Sequence, residues 1–468
     1  MAGIKEKKAK AASKPDSKNE SSEKEHWADN IARQVIALEG KKGILTVAAG
    51  ITPSGIIHIG NFREIITVDL VARALRKQGK KVRFLYSWDE FDVFRKVPSN
   101  IQNQEEFEKY LRMSIADIPD PDGCHNTYAL HFEKELEQLM PLVGITPEFL
   151  YQAGKYKVCE YAEEIRTALR ARDKIKEILN KWRAEEHGEN WIPFLVFCEK
   201  CGKDDTQITK YDEEYQISYT CHSCNHKDSF DFRKKGIGKL PWRIDWPMRW
   251  FFEKVDFEPS GKDHSSEGGS RTTANDIVKE VYGFDAPVHL MYEFVYAKGQ
   301  SEKMSKSKGN TITLGTALEV YEPSIVRYLF ASTIPGRSFN ISFDADLINT
   351  YEQFDKIERI YFGAEKSADE SELAFFKRVY ELSCVELPKS LPFQPSFRHL
   401  TVVLQSNAMN IEKTINHYSK ELKTAADGKK LELRINLAKN WLETNAPEDF
   451  LFTVQENPSE TAMVLPAA

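Results

Sequence analysis

The sequence predicts a mixed α/β protein: a doubly wound parallel sheet, a small β insertion within it, and a run of helices after it. Three stretches carry that expectation. The first is ILTVAAGITPSGIIHIGN, Ile44 to Asn61, whose short apolar run, bounded by Gly50 and Pro53, reads as a buried strand. Ile65, Ile66, Leu70, Val71, Ala74 and Leu75 then recur at helical spacing between about Asn61 and Lys80, and KVRFLYS, Lys81 to Ser87, reads as a second strand. The second stretch is a pair of C-x-x-C knuckles with two alternating segments, TQITKY and YQISYT, between them. The third lies beyond Asn310. There Tyr321 to Phe330, Tyr351 to Ile360, Ser371 to Leu387, Phe397 to Leu404, Ile411 to Lys423 and Lys430 to Thr444 keep helical apolar spacing with little strand signal.

Composition bounds the function. A chain of 468 residues with 41% hydrophobic and 29% charged residues suits two to four ordinary domains. No apolar run approaches the roughly 20 residues of a membrane span, and no signal-peptide core opens the chain, so a cytoplasmic protein with no membrane partner is expected. A net charge of −6 argues against an indiscriminate nucleic-acid coat. A nucleic-acid partner would need a local basic patch, and Arg233, Lys234 and Lys235 with Lys239, and the lysines of the first residues, are candidates, although a charge run is more often a solvated face. Seven cysteines without a secretory signal do not make a disulfide scaffold.

Taken in order, residues 1–25 are too polar to bury a core and read as a disordered tail, and Trp27 to Leu38 reads as an amphipathic helix. The turn at Ile51–Asn61 lies where a doubly wound sheet holds nucleotides, and neutral His58 and Asn61 offer uncharged donors to phosphate. After the second strand, Asp89, Glu90 and Asp92 sit among Trp88 and Phe91, a setting for an ammonium or else a solvated acidic loop. In IPDPDGCHNTYALHF, Asp120, Cys124, His125 and His131 are four zinc-ligand types on a turn into a helix, with Asp122 the rival of Asp120 and a polar helix start the alternative reading. Tyr156 to Arg183 is helical and charged. Cys198, Cys201, Cys221 and Cys224 then give the spacing of a structural zinc held by four thiolates with no open position; His222 and His226 are weaker rivals, and Cys159 and Cys384 read as buried thiols. Of Trp242, Trp246 and Trp250 at most one is expected to face a ligand. DIVKEVYG is a helix with a Gly stop. PVHLMYEFVYA is an apolar strand that delivers GQSEKMSKSKGN, a Gly- and Ser-rich loop whose lysines among hydroxyls suit a departing polyphosphate.

The HIGN turn and Lys303-Met304-Ser305-Lys306-Ser307 together resemble the two signatures of class I aminoacyl-tRNA synthetases, with Asn61 where the commonest form has a second His. WRIDWPMRW, GKDH (Gly261 to His264) and SWDEFDVFRKVP narrow the resemblance to the class I type of lysyl-tRNA synthetase, over roughly Trp27 to Asp346. It implies a Rossmann-type catalytic domain at 26–155 and 236–315, a zinc-ribbon insertion at 156–235, a stem-contact-like linker at 316–350, and a helical anticodon-binding-like domain at 351–468 whose end is shortened or divergent. The implied reaction is ATP-dependent ligation of L-lysine to tRNA(Lys) through a lysyl-adenylate, by a monomer using ATP with Mg2+ and one structural Zn2+, with a second at Asp120, Cys124, His125 and His131. The resemblance gives His58, Asn61, Lys303 and Lys306 catalytic roles, and adds Gly60, Gly261, Asp263 and Ser305 for ATP. It gives Gly50, Thr52, Trp242, His264 and Tyr292 to the amino acid, although His264 also adjoins the ribose segment. Other class I enzymes, for glutamate, glutamine or arginine, and a non-catalytic tRNA-binding relative are the alternatives; the acidic and aromatic setting of Trp88 to Asp92 favours a cationic amino acid.

Overall fold

The structure is a computed structural model that describes residues 25–39, 41–99, 101, 103–298 and 311–454. The predicted tail, apart from Glu25, and the Lys303 to Ser307 signature lie outside the described residues.

Helix α1 (Trp27–Glu39) is followed by β1 (Leu45–Ile51), α2 (Ile59–Lys77) and β2 (Val82–Trp88). The two strands are parallel and in register from Leu45 opposite Val82 to Ile51 opposite Trp88. After α3 (Gln104–Glu108) and α4 (Tyr128–Leu139), β3 (Glu148–Tyr151) joins the far side of β2, again parallel, and leads into α5 (Gln152–Lys157). The period of two along a strand sorts the side chains. Val47, Ala49, Phe84 and Tyr86 pack with α1 and α2, whereas Ala48 and Leu85 face a second cluster with Trp246, Trp250, Ala274 and Val278. Those partners belong to α8 (Trp242–Glu253) and α10 (Ser270–Tyr282), so helices cover both faces, as a buried parallel sheet requires. Phe257 bridges in parallel to both Val47 and Val288, which carries the sheet past β1. Beyond that bridge β9 (Ser260–Gly261), the single turn α9 (Lys262–Ser265) and β10 (Met291–Tyr292) bring two more parallel segments to the edge of the site.

PVHLMYEFVYA is not one strand. It forms β10 and then β11 (Val295–Ala297), because the Glu293 N–H turns aside to the Pro335 carbonyl at 2.9 Å. Between residues 156 and 240 lie α6 (Ala162–Arg170), α7 (Arg172–Asn180), the short pair β4 (Leu195–Val196) and β8 (Gly238–Lys239), and an antiparallel sheet in the order β5 (Thr206–Tyr211), β6 (Gln216–Cys221), β7 (Lys227–Asp231). Ile217, Tyr219 and Cys221 alternate inward against Ile165, Leu169 and Ile178, a separate apolar cluster. The basic run does not form a free patch. Arg233 pairs with Asp231 at 2.6 Å, Lys235 with Glu199 and Asp228 at 2.6 and 3.1 Å, and Lys239 is buried.

After α11 (Leu314–Leu318) and α12 (Pro323–Ala331), β12 (Phe339–Ile341) pairs in parallel with β11. That strand had no counterpart in the sequence reading, since three residues between helical segments leave no period to detect. Helices α13 (Asp346–Tyr361), α14 (Glu370–Ser383), α15 (Phe397–Ser406), α16 (Ile411–His417) and α17 (Ala425–Thr444) follow. The last begins earlier than its apolar spacing suggests because Thr424 and Asp427 form a capping box. No described helix is long and apolar enough to cross a membrane.

Candidate active site

A cavity of about 480 Å³ opens at the carboxyl ends of β1 and β2. Gly50 and Thr52 line it from β1 and the turn after it, and His58, Gly60 and Asn61 from the start of α2. Gly261, Asp263 and His264 close the opposite side with Tyr292, and Trp242 adds an aromatic wall. The ten described residues to which the resemblance gave ATP or amino-acid roles therefore share one cavity. Lys303, Ser305 and Lys306 lie outside the described residues.

His58 is the N-cap of α2, in extended backbone, and its Nδ1 accepts the Asn61 N–H at 3.3 Å while Asn61 Oδ1 accepts the His58 N–H at 3.3 Å. This reciprocal box satisfies helix-terminal donors. Accepting at Nδ1 selects the neutral tautomer with its proton on Nε2, and Asn61 keeps its amide N–H groups as donors. The strand delivering the next wall is tied to the same helix. Arg63, buried in α2, donates to the carbonyls of Phe294, Pro335 and Arg337 at 3.1, 2.9 and 2.8 Å.

Gly50 is a point of close approach. A Cβ there would sit 2.8 Å from the Ser87 carbonyl oxygen of β2, so only glycine fits the strand pairing at the cavity wall. Its N–H donates to Glu64 Oε1 at 3.0 Å, and Tyr292 donates its hydroxyl to Glu64 Oε2 at 2.7 Å. Burial pushes the Glu64 carboxyl up to about 8, against those two hydrogen bonds, with Glu258 and Asp89 adding repulsion. Sequence reading missed Glu64: a glutamate among apolar helix positions carries no sign of a partner far along the chain.

The acidic stretch divides. Asp89 lines the cavity and is ion-paired with buried Arg249, which also approaches Asp245 at 3.4 Å. Asp92 lines the cavity as well. Glu90 does not; its carboxylate accepts the N–H groups of Gln152 and Ala153 at 3.0 and 2.8 Å and caps α5. Trp88 is core, with its indole N–H on Glu137 at 2.9 Å. Trp246 and Trp250 donate to Glu258 at 3.0 and 2.6 Å. His264 hydrogen-bonds Ser270 at 2.8 Å and lies 6.4 and 6.2 Å from the rings of Trp242 and Trp246.

Two clusters have the chemistry of metal sites. The four thiols of Cys198, Cys201, Cys221 and Cys224 lie within 4.8 Å of one another, with Cys198 and Cys224 at 3.7 Å and Cys201 and Cys221 at 3.6 Å. A tetrahedron with Zn–S of about 2.3 Å has edges of about 3.8 Å, so the set fits zinc. His222 is not part of it, and His226 groups instead with Glu199 and Asp228. Asp120, Cys124, His125 and His131 also converge within 4.8 Å. Cys124 Sγ is 3.1 and 3.3 Å from the two histidine Nδ1 atoms and 3.2 Å from Asp120. Asp122 stands outside, 3.6 Å from His131 Nε2, where it can orient that ring. Cys384 is buried, whereas Cys159 is only half-buried.

Residues 25–386 match the family described as tRNA synthetases class I (K). A lysine–tRNA ligase of Borreliella burgdorferi is 49% identical over 431 residues, covering 92% of this chain and 82% of that one. Lysine–tRNA ligases of Treponema pallidum and Pyrococcus horikoshii are each 45% identical, over 437 and 446 residues, covering 92% and 93% of this chain and 82% and 84% of theirs.

Proposed function

The chain belongs to the class I tRNA synthetases of the lysine group, and from that premise we propose how its cavity performs the charging of tRNA with lysine. The lysine carboxylate attacks the α-phosphorus of ATP, pyrophosphate leaves, and the lysyl group passes from the adenylate to the terminal ribose of tRNA(Lys). No side chain need act as a nucleophile, so catalysis is positioning and electrostatic stabilisation.

The observation that carries the assignment of roles is the shared cavity, in which the helix-start turn faces both the GKDH segment and Trp242 with Tyr292. In this reading the Nε2 proton of His58, the Asn61 amide and the Gly60 backbone at the N-terminus of α2 meet the phosphates of magnesium-bound ATP. Gly261 and Asp263 take the ribose, and Gly50, Thr52, Trp242, His264 and Tyr292 take the amino acid. The contact of His264 with Ser270 and its nearness to Trp242 and Trp246 support the amino-acid role over the ribose role. Lys303, Ser305 and Lys306 are assigned to the departing pyrophosphate on their motif alone.

The four-cysteine set is proposed to hold a structural zinc that fixes the 156–235 insertion, and Asp120, Cys124, His125 and His131 a second ion. The helices beyond residue 351 are proposed as the anticodon-binding unit. The reading is tested by charging total tRNA with each standard amino acid in turn, tRNA being present throughout. Lysine alone should be ligated. Efficient ligation of glutamate, glutamine or arginine would overturn the assignment, and so would the absence of any charging.

A further inference from the structure

Resting on the reading above, we infer that Tyr128, on the first turn of α4, is a positioning residue for lysyl-adenylate formation: it holds the turn between β1 and α2 in the shape that presents His58 to the phosphates. Its hydroxyl donates to the Ser54 carbonyl at 3.0 Å. Neither residue lines the cavity, but Thr52 and His58, on either side of Ser54 in the same turn, both do. The turn has little stiffness of its own. Gly55 sits at φ 153°, a conformation that glycine adopts and leaves readily, and the Ser54 N–H closes a short loop on the Thr52 carbonyl at 2.8 Å. The far end is tied separately, by the Ile59 N–H on the Ile312 carbonyl at 2.7 Å and the bridge between His58 and Thr313.

Tyr128 is firmly supported. It is fully buried, and its ring packs against Phe94 and Phe132 with centroids 5.2 and 5.1 Å away. Its N–H donates to the Ile118 carbonyl at 3.0 Å, and the Ala129 N–H to the Ile115 carbonyl at 3.2 Å. Thr127 caps the helix by accepting the Leu130 N–H at 3.3 Å. Ahead of that cap, the Asp120 carboxylate accepts the Asp122 and His125 N–H groups at 3.0 and 2.7 Å and so shapes the loop that enters α4. The hydroxyl thus reaches Ser54 from a rigid base, as a site held by its surroundings requires. Ser54 is exposed, so water can take the place of the hydroxyl at its carbonyl. Removing the hydroxyl therefore costs little stability but frees the turn, and a small displacement of a group facing the reacting atoms is expensive in rate.

The test separates the two half-reactions. The first is read as pyrophosphate release in a single turnover with tRNA present, and the second as transfer to tRNA from lysyl-adenylate supplied to the enzyme. Tyr128→Phe, which keeps the ring, should slow the first by about 10 to 10²-fold, the scale of a slightly misplaced group. KM for ATP should change much less, and transfer should hold, because pyrophosphate has already left. With 4-aminophenylalanine at position 128, which restores a donor, the first rate should recover in part. An unchanged first turnover overturns the proposal. Equal slowing of both steps makes Tyr128 a brace of the whole fold, and a loss confined to ATP affinity makes the contact one of binding; either result also overturns it. Should Tyr128→Phe fail to fold, the 4-aminophenylalanine protein compared with the parent carries the same readouts, a slower first step beside an unaltered transfer. The two failures are separable: should the parent charge another amino acid, the functional reading falls, and the same rates measured with that amino acid still decide the role of Tyr128.

Discussion

Glu64 is a buried carboxyl on the cavity wall, and its burial gives lysine binding an expected pH dependence whose sign can be worked out. Without ligand its carboxyl titrates near 8, so at pH 7 most of it is protonated. A cation selects the ionised form. Lysine KM should therefore fall by up to about tenfold per unit as pH rises from 6 toward 8 and then level off, while KM for ATP stays flat. Asp89, Glu258 and His264 line the same space, so the slope is assigned to Glu64 only by its loss in Glu64→Gln. Burial pushes the hydroxyls of Tyr292 and Tyr86 far above the ordinary range. Asp89 and Glu258 are also raised by burial, but Arg249 opposes the rise at Asp89, and the Trp246 indole with Arg249 at Glu258. Loss of the slope in Glu64→Gln, measured as lysine KM across that range, would tie it to this carboxyl, and a slope that survives would assign it elsewhere. At this scale the motifs made much of the site legible. His58, Asn61, Gly261 and Asp263 sit in short patterns whose local geometry implies a ligand. Glu64 has no local signature; its place in the cavity wall depends on a hydrogen bond from Tyr292, 228 residues downstream. Glu90 shows the opposite failure, because an acidic residue next to Asp89 in sequence points to a different element and caps a helix.

Among elements, the proposed cysteine-bound zinc would bear most on β5, β6 and β7. Their sheet has three short strands and the four cysteines converge beside it, so the ligation energy of the proposed zinc would be folding energy there. Cys198→Ser should release about one zinc per chain and melt this sheet, seen as early proteolysis between residues 200 and 230. Metal content unchanged in that variant would rule out the four-thiolate site. The upstream cluster makes a second, independent expectation. The parent protein should carry about two zincs, and His131→Ala should lose one of them while keeping the cysteine-bound ion. A single zinc, absent in Cys198→Ser, would leave the upstream cluster as a capped start of α4. Elements with strong period or exclusive spacing were readable: β1, α2, β2 and the cysteine pairs. Short ones were not. β7 reads KDSFD, with one large apolar residue, and β12 spans three residues, so pairing with β6 and β11 rather than composition makes them strands.

Across the whole molecule, buried arginines join the parallel-sheet unit to the helices that follow it. Arg327 in α12 is fully buried and donates to Asp69 of α2 at 2.7 Å, to the Val143 carbonyl at 2.9 Å and to the Leu382 carbonyl at 2.9 and 3.1 Å. Asp69 also binds Arg73, which reaches the carbonyls of Gly144 and Cys384 at 3.0 and 2.7 Å. Further along, Arg434 of α17 bridges Glu322 and Asp355, and Lys430 joins Glu322. The net effect on Glu322 is downward: burial alone would raise its pKa, but Arg434 and Lys430 bring it to about 2. Such groups were invisible in sequence, since an arginine at a helical position reads as solvated until a distant carboxylate is brought to it. Removing one member of a buried pair leaves the other uncompensated, which typically costs about 3–5 kcal/mol. Arg327→Met should therefore lower the urea midpoint substantially, and Asp69→Asn should do likewise by stranding both Arg327 and Arg73. The double variant discriminates direct coupling from general damage. If Asp69 and Arg327 act through their mutual contact, the two losses should fall short of additive by roughly 0.5–3 kcal/mol, because once one charge is gone the second no longer has a partner to lose. Arg73 shares Asp69 Oδ2 with Arg327 and repels it, so the cycle is repeated in an Arg73→Met background to isolate the Asp69–Arg327 contact. Fully additive losses would mean that the α2 to α12 junction is held by the carbonyl contacts and apolar packing, with the ion pair incidental to it.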